Sequence, residues 1–227
     1  YNWLEIRAEL ETKGHRFETP TDTEMVLAAY LEWGPRCLDR FNGMFAIAIW
    51  HDDKLFLGRD RLGKKPLFYT HDARGIAFAS ELKALRNLDF AEVPICNALE
   101  FYFDAFTPFS NVKSLEGGHF LIYDANQNSV HIERWWSFPD QTSEITDPDK
   151  AVDQFIELFS DACKVRKVAD VPVTIFLSGG VDSSLIQAIL KLDVSYTIQF
   201  EEFESTINER KLVLEFGERL GFEPRIV

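Results

Sequence analysis

The stretch Val171 to Ser184 constrains this chain most. Val171, Pro172, Val173, Thr174, Ile175, Phe176 and Leu177 form an apolar run. Ser178, Gly179 and Gly180 interrupt it, and Val181, Asp182, Ser183 and Ser184 read as a helix start. A strand that turns directly into a helix belongs to an α/β parallel sheet, and such sheets bind ligands beyond the carboxyl ends of their strands. The glycines let backbone approach an anion with no Cβ in the way. The helix N-terminus offers unpaired N–H groups and positive dipole density. Ser178, Ser183 and Ser184 add hydroxyl donors. Asp182 repels phosphate, so its place here makes sense if it holds a metal ion that bridges phosphates. The lysine of a Walker loop is missing, and so is the G-x-S-x-G pattern of a nucleophile elbow. A plain strand-to-helix turn with an N-cap accounts for the glycines, one aspartate and one serine. It leaves two serines unexplained.

The surrounding pattern agrees with a parallel sheet. A helix is expected over 149–167, a helix after Asp182, a strand over 194–200, a helix over 206–220 and a strand from about 224. The first part of the chain is different in kind. A helix is expected over 3–13, and Thr21-Asp22-Thr23-Glu24 reads as an N-cap followed three positions later by Glu, opening a helix that runs to Gly34. Met44 to Trp50 reads as a buried strand that returns through His51-Asp52-Asp53 as Lys54 to Gly58, a hairpin. Short strands are expected over 66–69 and 75–79, helices over 80–86 and 97–106, and a late hairpin pairing 120–123 with 130–135. Residues 137–150 carry two prolines, four acidic residues, Ser and Thr, and read as a polar connector. The domains expected are therefore 1–138 and 149–227.

Composition narrows the partners. Twenty-four basic against 37 acidic residues give a net charge of −13. Such a surface repels phosphate backbones and anionic lipids, so neither nucleic acid nor membrane is an expected partner. A nucleotide needs only one local site and is unaffected. No apolar run is long enough to span a bilayer. Cys37, Cys96 and Cys163 are far apart and odd in number, which fits neither a disulfide scaffold nor a Cys-rich zinc site. All three are expected to be buried, inert thiols. The five histidines lack metal-ligand spacing. Arg59 and Asp60 at a strand end read as a structural ion pair or turn.

Ser178-Gly179-Gly180-Val181-Asp182-Ser183-Ser184 resembles the S-G-G-x-D-S-S pyrophosphate loop of the ATP pyrophosphatase superfamily. That resemblance implies that Ser178, Gly179, Gly180, Asp182, Ser183 and Ser184 grip the pyrophosphate of ATP, with Asp182 on Mg2+. It further implies backbone contacts to adenosine from Leu177 and from Ile198 on the next strand. The side chain of Ile198 taken alone reads as a core residue.

The first domain selects among the superfamily. Gly14-His15-Arg16-Phe17, Thr21 to Glu24, Gly43 to Trp50, Gly58 to Leu67 and Ala79 to Leu85 resemble a class II glutamine amidotransferase domain. Their order, and their fusion to the phosphate loop, resemble glutamine-hydrolysing asparagine synthetase. The fold implied is an α+β N-terminal α-β-β-α sandwich of Ntn-hydrolase type, truncated, followed by a truncated α/β parallel-sheet domain carrying the loop. The activity implied is a ligase with two sites. One releases ammonia from glutamine. The other adenylates the side-chain carboxylate of aspartate with ATP and Mg2+ and amidates it, giving asparagine, AMP and pyrophosphate. The resemblance assigns Asp22 to the α-amino group of glutamine; by itself Asp22 reads as a first-turn acid supporting the helix dipole. A cytoplasmic protein and a homodimer are further family expectations.

The sequence departs from the family at its start. The nucleophile there is a cysteine at the mature N-terminus, whereas this chain begins at Tyr1, and none of its three cysteines falls at that position. The upstream arginine and Asn-Gly-Glu stretch of the glutaminase site, and the later segments of the synthetase site, are also outside it. The chain thus reads as a segment of something longer, with no catalytic residue of the glutaminase in it. Two alternatives stay open: a relative acting on another carboxylate, in surface polysaccharide, β-lactam or cyclic peptide formation, or a glutaminase-dead homologue supplied with free ammonia.

Overall fold

The computed structural model describes residues 1–85, 107–140, 145–199 and 209–227. The chain divides into two compact units, Asn2–Gln141 and, grouped with Tyr1, Thr142–Val227.

The first unit opens with α1 (Trp3–Thr12) and α2 (Asp22–Trp33), followed by a 3-10 turn over Gly34–Arg40. Both helices lie where apolar spacing places them, and Gly34 closes α2 with a positive φ of 60°. The strands β1 (Ala46–His51) and β2 (Lys54–Arg59) form the expected hairpin. Asp52 and Asp53 turn it, both with positive φ, as a two-residue hairpin turn demands. β3 (Phe68–Asp72) and β4 (Gly75–Ala79) form a second hairpin, and β5 (Lys113–Ser114) pairs with β3. β6 (His119–Asp124) and β7 (Ser129–Arg134) form the late hairpin. β2 pairs antiparallel with β6, joining residues more than sixty positions apart. Two sheets result, ordered β1-β2-β6-β7 and β4-β3-β5.

Alternation along β2 and β6 shows how the layers stack. Phe56 and Phe120 belong to a core with Ile6 and Leu10 of α1, Met25 and Ala29 of α2, and Leu38. Their neighbours Leu55, Leu57, Leu121 and Tyr123 belong to a different core, with Tyr69 of β3 and with Leu67 and Leu115. Successive side chains of a strand point to opposite faces, so the larger sheet is covered by helices on one side and by the smaller sheet on the other. Helix, sheet and sheet are three layers of the expected α-β-β-α sandwich. The helix expected over 97–106 lies outside the described residues.

In the second unit α3 (Pro148–Val165) begins at an Asp147 N-cap whose carboxylate accepts from the Asp149 and Lys150 amides. β8 (Ile175–Phe176), α4 (Val181–Leu190), β9 (Ser195–Thr197), α5 (Arg210–Leu220) and β10 (Arg225–Ile226) follow. The strands are parallel and ordered β10-β9-β8. This is the α/β order expected from the sequence.

Three expectations need correction. Met44 to Trp50 is not a buried strand: β1 is a sheet edge, only Ile49 along it is buried, and Trp50 is 59% exposed. The strand expected over 171–177 shrinks to two residues. β9 starts at Ser195 opposite Ile175, so among the described residues no strand pairs with residues before it, and Pro172 has no N–H to offer. The helix expected over 80–86 is a 3-10 turn at Leu82–Leu85; Arg86 lies outside the described residues, as do Cys96, Phe200 and residues 206–208.

Candidate functional site

Two places carry the residues singled out from the sequence, one in each unit. In the second unit Leu177 leaves β8 and the chain enters the loop Ser178-Gly179-Gly180 before α4. Gly179 has a φ of +70°, and a Cβ there would stand 3.1 Å from Cβ of Leu212 on α5. Only glycine meets both demands cheaply. Gly180 is the N-cap of α4 and offers no side-chain cap, so among the described residues the amides of Val181, Asp182 and Ser183 have no acceptor.

The serine hydroxyls preshape the loop. Ser178 Oγ and Ser183 Oγ are 3.0 Å apart. The Ser178 amide donates to Ser183 Oγ at 3.2 Å, and the Ser183 hydroxyl reaches the Gly180 carbonyl at 3.3 Å. The first helical bond runs from the Ser184 amide to the Gly180 carbonyl. Asp182 is exposed in the first turn of α4, and among the described residues its carboxylate has no partner. The loop thus brings Ser178, Gly179, Gly180, Asp182, Ser183 and Ser184 together at the carboxyl end of β8.

Leu177 and Ile198 sit on adjacent strands but differ in what their backbones have left to offer. Leu177 is buried; its amide donates to the Tyr196 carbonyl and its carbonyl accepts from the Thr197 hydroxyl, both at 2.8 Å. Ile198 lies one residue beyond β9, between Thr197 and Gln199, which are both bonded to Val227. Among the described residues the Ile198 amide and carbonyl are unpaired, and its side chain is exposed rather than in the core.

In the first unit Asp22 opens α2 and lines a cleft of about 1100 Å³. The cleft is walled by the 18–27 segment, by Met44 to Trp50 along β1, and by Lys65, Pro66 and Ser80. The two acids at the helix start have separate jobs. Glu24 accepts from the Glu18 and Thr19 amides, each at 2.8 Å, and from the Thr19 hydroxyl at 2.6 Å. These bonds, the Thr19 hydroxyl foremost, hold its carboxyl below the usual range. Thr21 is the N-cap by backbone shape but makes no cap bond; its hydroxyl pairs with Thr19 instead. The reciprocal capping box expected from Thr21 and Glu24 is thus displaced toward residues 18 and 19. Asp22, by contrast, has no partner among the described residues, and its exposed carboxylate faces an accessible cleft.

Arg59 and Asp60 were expected to pair or to make a turn, and they do something more extensive. Asp60 is 1% exposed, and its carboxylate accepts from the amides of Phe45, Leu62, Lys64 and Lys65 at 2.9–3.2 Å. The Arg59 guanidinium donates to the carbonyls of Gly63, Lys65 and Leu115 and to the Ser114 hydroxyl. Burial lowers the Arg59 pKa. Their full roles are not visible in spacing, because beside the local loop 62–65 the partners Phe45, Ser114 and Leu115 come from distant segments that only the folded chain brings together.

Two of the three cysteines lie among the described residues. Cys37 and Cys163 are buried, and burial, with the Asp39 carboxylate nearby, pushes the Cys37 thiol up to about 12. Among the described residues no group of three His, Cys, Asp or Glu side chains could hold a metal ion, and no helix is long and apolar enough to cross a membrane.

These geometries meet a consistent set of relatives. The asparagine synthase family matches residues 154–227. Asparagine synthetase [glutamine-hydrolyzing] 3 of Bacillus subtilis is 40% identical over 200 residues, covering 83% of this chain and 32% of that protein. Asparagine synthetase B [glutamine-hydrolyzing] of Escherichia coli is 32% identical over 206 residues, covering 89% of this chain and 33% of that protein. The chain thus spans about a third of the length of these curated relatives. Among solved structures, glutamine phosphoribosylpyrophosphate amidotransferase from B. subtilis has a TM-score of 0.46 at 14% identity over 99% of this chain and 43% of its own, a likeness too distant to carry weight. The glutamine amidotransferase domain family matches residues 1–136, well over half of the chain, and the chain belongs to that family.

Proposed function

We propose that this chain serves an ATP-dependent, amide-forming ligase of the asparagine synthetase type, in which ammonia released from glutamine amidates the side-chain carboxylate of aspartate. The observation that carries the reading is the Ser178–Ser184 cradle, built on the same chain as an amidotransferase domain whose Asp22 carboxylate faces a cleft without a partner.

The residues present fit a pyrophosphate group. Gly179 and Gly180 carry no Cβ, the Ser178 and Ser183 hydroxyls are held against each other, and the first α4 amides have no acceptor among the described residues. An anion there is stabilised by donors and helix dipole together. ATP supplies the leaving group that makes a carboxylate electrophilic. Asp182 is the residue that would hold Mg2+, which takes one or two protein carboxylates plus phosphate oxygens and needs no all-protein cage. Ile198 would receive the adenine edge through its unpaired amide and carbonyl, and Leu177 through the second lone pair of its carbonyl. Asp22 would bind the α-ammonium group of glutamine, as the natural partner of a cation. Domains 1–138 and 149–227 divide the two tasks. A cytoplasmic homodimer goes with this reading, on the strength of the family resemblance.

The test is exchange of pyrophosphate into ATP by the full-length protein across a panel of carboxylic acids. Exchange that depends on aspartate supports the reading; exchange with a different acid moves the substrate to that acid, and none with any acid refutes the ligase.

A further inference from the structure

Asp60 is far more heavily bonded than a turn requires. An aspartate that shapes a turn satisfies one or two amides, and a buried carboxylate is costly unless its oxygens are paired. Here four amides converge on it. Leu62 and Lys64 donate to Oδ1, and Phe45 and Lys65 donate to Oδ2. The Phe45 bond is not needed to register β1, whose six pairs with β2 run from Ala46↔Arg59 to His51↔Lys54. It extends the pairing by one step beyond the ladder, together with the bond from the Asp60 amide to the Phe45 carbonyl at 2.9 Å. Phe45 and Lys65 are both wall residues of the cleft that Asp22 lines. They come from separate segments, the residue just before an edge strand and a loop, and a single oxygen atom ties their backbones together.

Arg59 completes the arrangement from the other side. Its guanidinium takes the carbonyls of Gly63 and Lys65 while Asp60 takes the amides of Leu62, Lys64 and Lys65. The loop is thereby held through both polarities of its backbone, and Lys65 at its end is pinned through amide and carbonyl alike.

We propose that Asp60 is a positioning residue for the Asp22 cleft: by holding Phe45 and Lys65 on one carboxylate oxygen, it sets the spacing of two walls and with it the affinity for the amino acid bound there. The proposal rests on the reading of that cleft as the glutamine site.

Asp60→Asn is nearly isosteric but leaves one oxygen to accept, and its amide group faces two N–H donors, so one of the two pairs is released. Asp60→Glu keeps the charge and displaces both oxygens by a methylene. In the full-length protein both variants are expected to raise KM for glutamine roughly tenfold in the glutaminase assay, the effect of one lost charge-assisted bond, with kcat within about threefold. Ammonia-supported ligation, which bypasses glutamine, is the reference. An unchanged KM with only a lower thermal midpoint overturns the proposal, because it makes Asp60 purely structural. Should Asp60→Asn fail to fold, Asp60→Glu decides; failure of both to fold makes it a folding residue and equally overturns the idea. Asp22→Ala is run alongside. If it leaves KM for glutamine unchanged, the glutamine reading of the cleft fails on its own. If it raises KM while the Asp60 variants do not, only the positioning role is lost.

Discussion

Ser178 Oγ and Ser183 Oγ lie 3.0 Å apart across the loop between β8 and α4, and the Ser178 amide donates to the same Ser183 oxygen. These bonds, with that from the Ser183 hydroxyl to the Gly180 carbonyl, fix the shape of the loop, so on the proposed reading an anion meets a preformed cradle. Ser183→Ala removes one donor and frees the other. Its expected cost is a roughly tenfold weaker ATP affinity, about 1.4 kcal/mol, read by calorimetry on the full-length protein. Unchanged affinity would place the nucleotide elsewhere.

Gly179→Ala tests the backbone of the same loop. An L-residue at φ +70° costs about 1–2 kcal/mol, and the new Cβ would also crowd Leu212 at 3.1 Å. The variant is expected to lose thermal stability and nucleotide binding together. A variant that melts like the wild type contradicts the loop geometry.

Asp22→Asn replaces the partnerless carboxylate with a neutral group of the same shape. On the proposed reading, loss of a hydrogen bond between charged groups, about 1.5–3 kcal/mol, corresponds to a KM for glutamine raised roughly tenfold to a hundredfold. Ammonia-supported activity should stay at the wild-type level, since that route does not need glutamine. Parallel loss of both activities would point to a folding defect instead.

Glu24 gives the first unit an acid-sensitive turn. Its folded pKa lies below the ordinary value of 4.5, so the bonds to Glu18 and Thr19 contribute fully above that pH. They are lost as pH falls from 4.5 through the folded pKa. Comparing thermal midpoints of the wild type and Glu24→Gln across this range should show a constant gap at neutral pH that closes only on acidification. A gap that widens toward low pH has the wrong sign and would reject the assignment.

Cys37 is buried with its thiol pushed up to about 12, so thiolate is scarce at any ordinary pH. The folded protein is expected to leave Cys37 unlabelled by iodoacetamide at mild alkaline pH, and to expose it after denaturation. On the proposed reading, Cys37→Ala in the full-length protein should retain glutaminase activity. Rapid labelling of the native thiol, mapped by mass spectrometry, would show that the pocket around it is open.

Much of this protein is legible residue by residue. Asp52-Asp53 announces a tight hairpin because two consecutive residues must take positive φ there. Ser178 to Ser184 announces a tight strand-to-helix turn because glycines, hydroxyls and a helix start are contiguous. The α/β alternation after 148 follows from period and punctuation alone. These are short-range properties, encoded within a few residues of where they act.

What the linear order leaves undecided depends on partners distant in the chain. β2 could have been central or marginal; its pairing with β6 makes it central and leaves β1 at the edge, which is why Trp50 faces outward along a cleft rather than into a core. Arg59 and Asp60 look like a turn in sequence and become a clamp only when Phe45, Lys65 and Leu115 are brought around them. Glu24 looks like half of a capping box and reaches back to residues 18 and 19 because the preceding turn folds under it. Local chemistry specifies tight turns and strand-to-helix loops. Which carboxylate is consumed by the fold, and which keeps its acceptor sites unused, is decided by long-range packing, since only that packing settles where each backbone amide finds its acceptor.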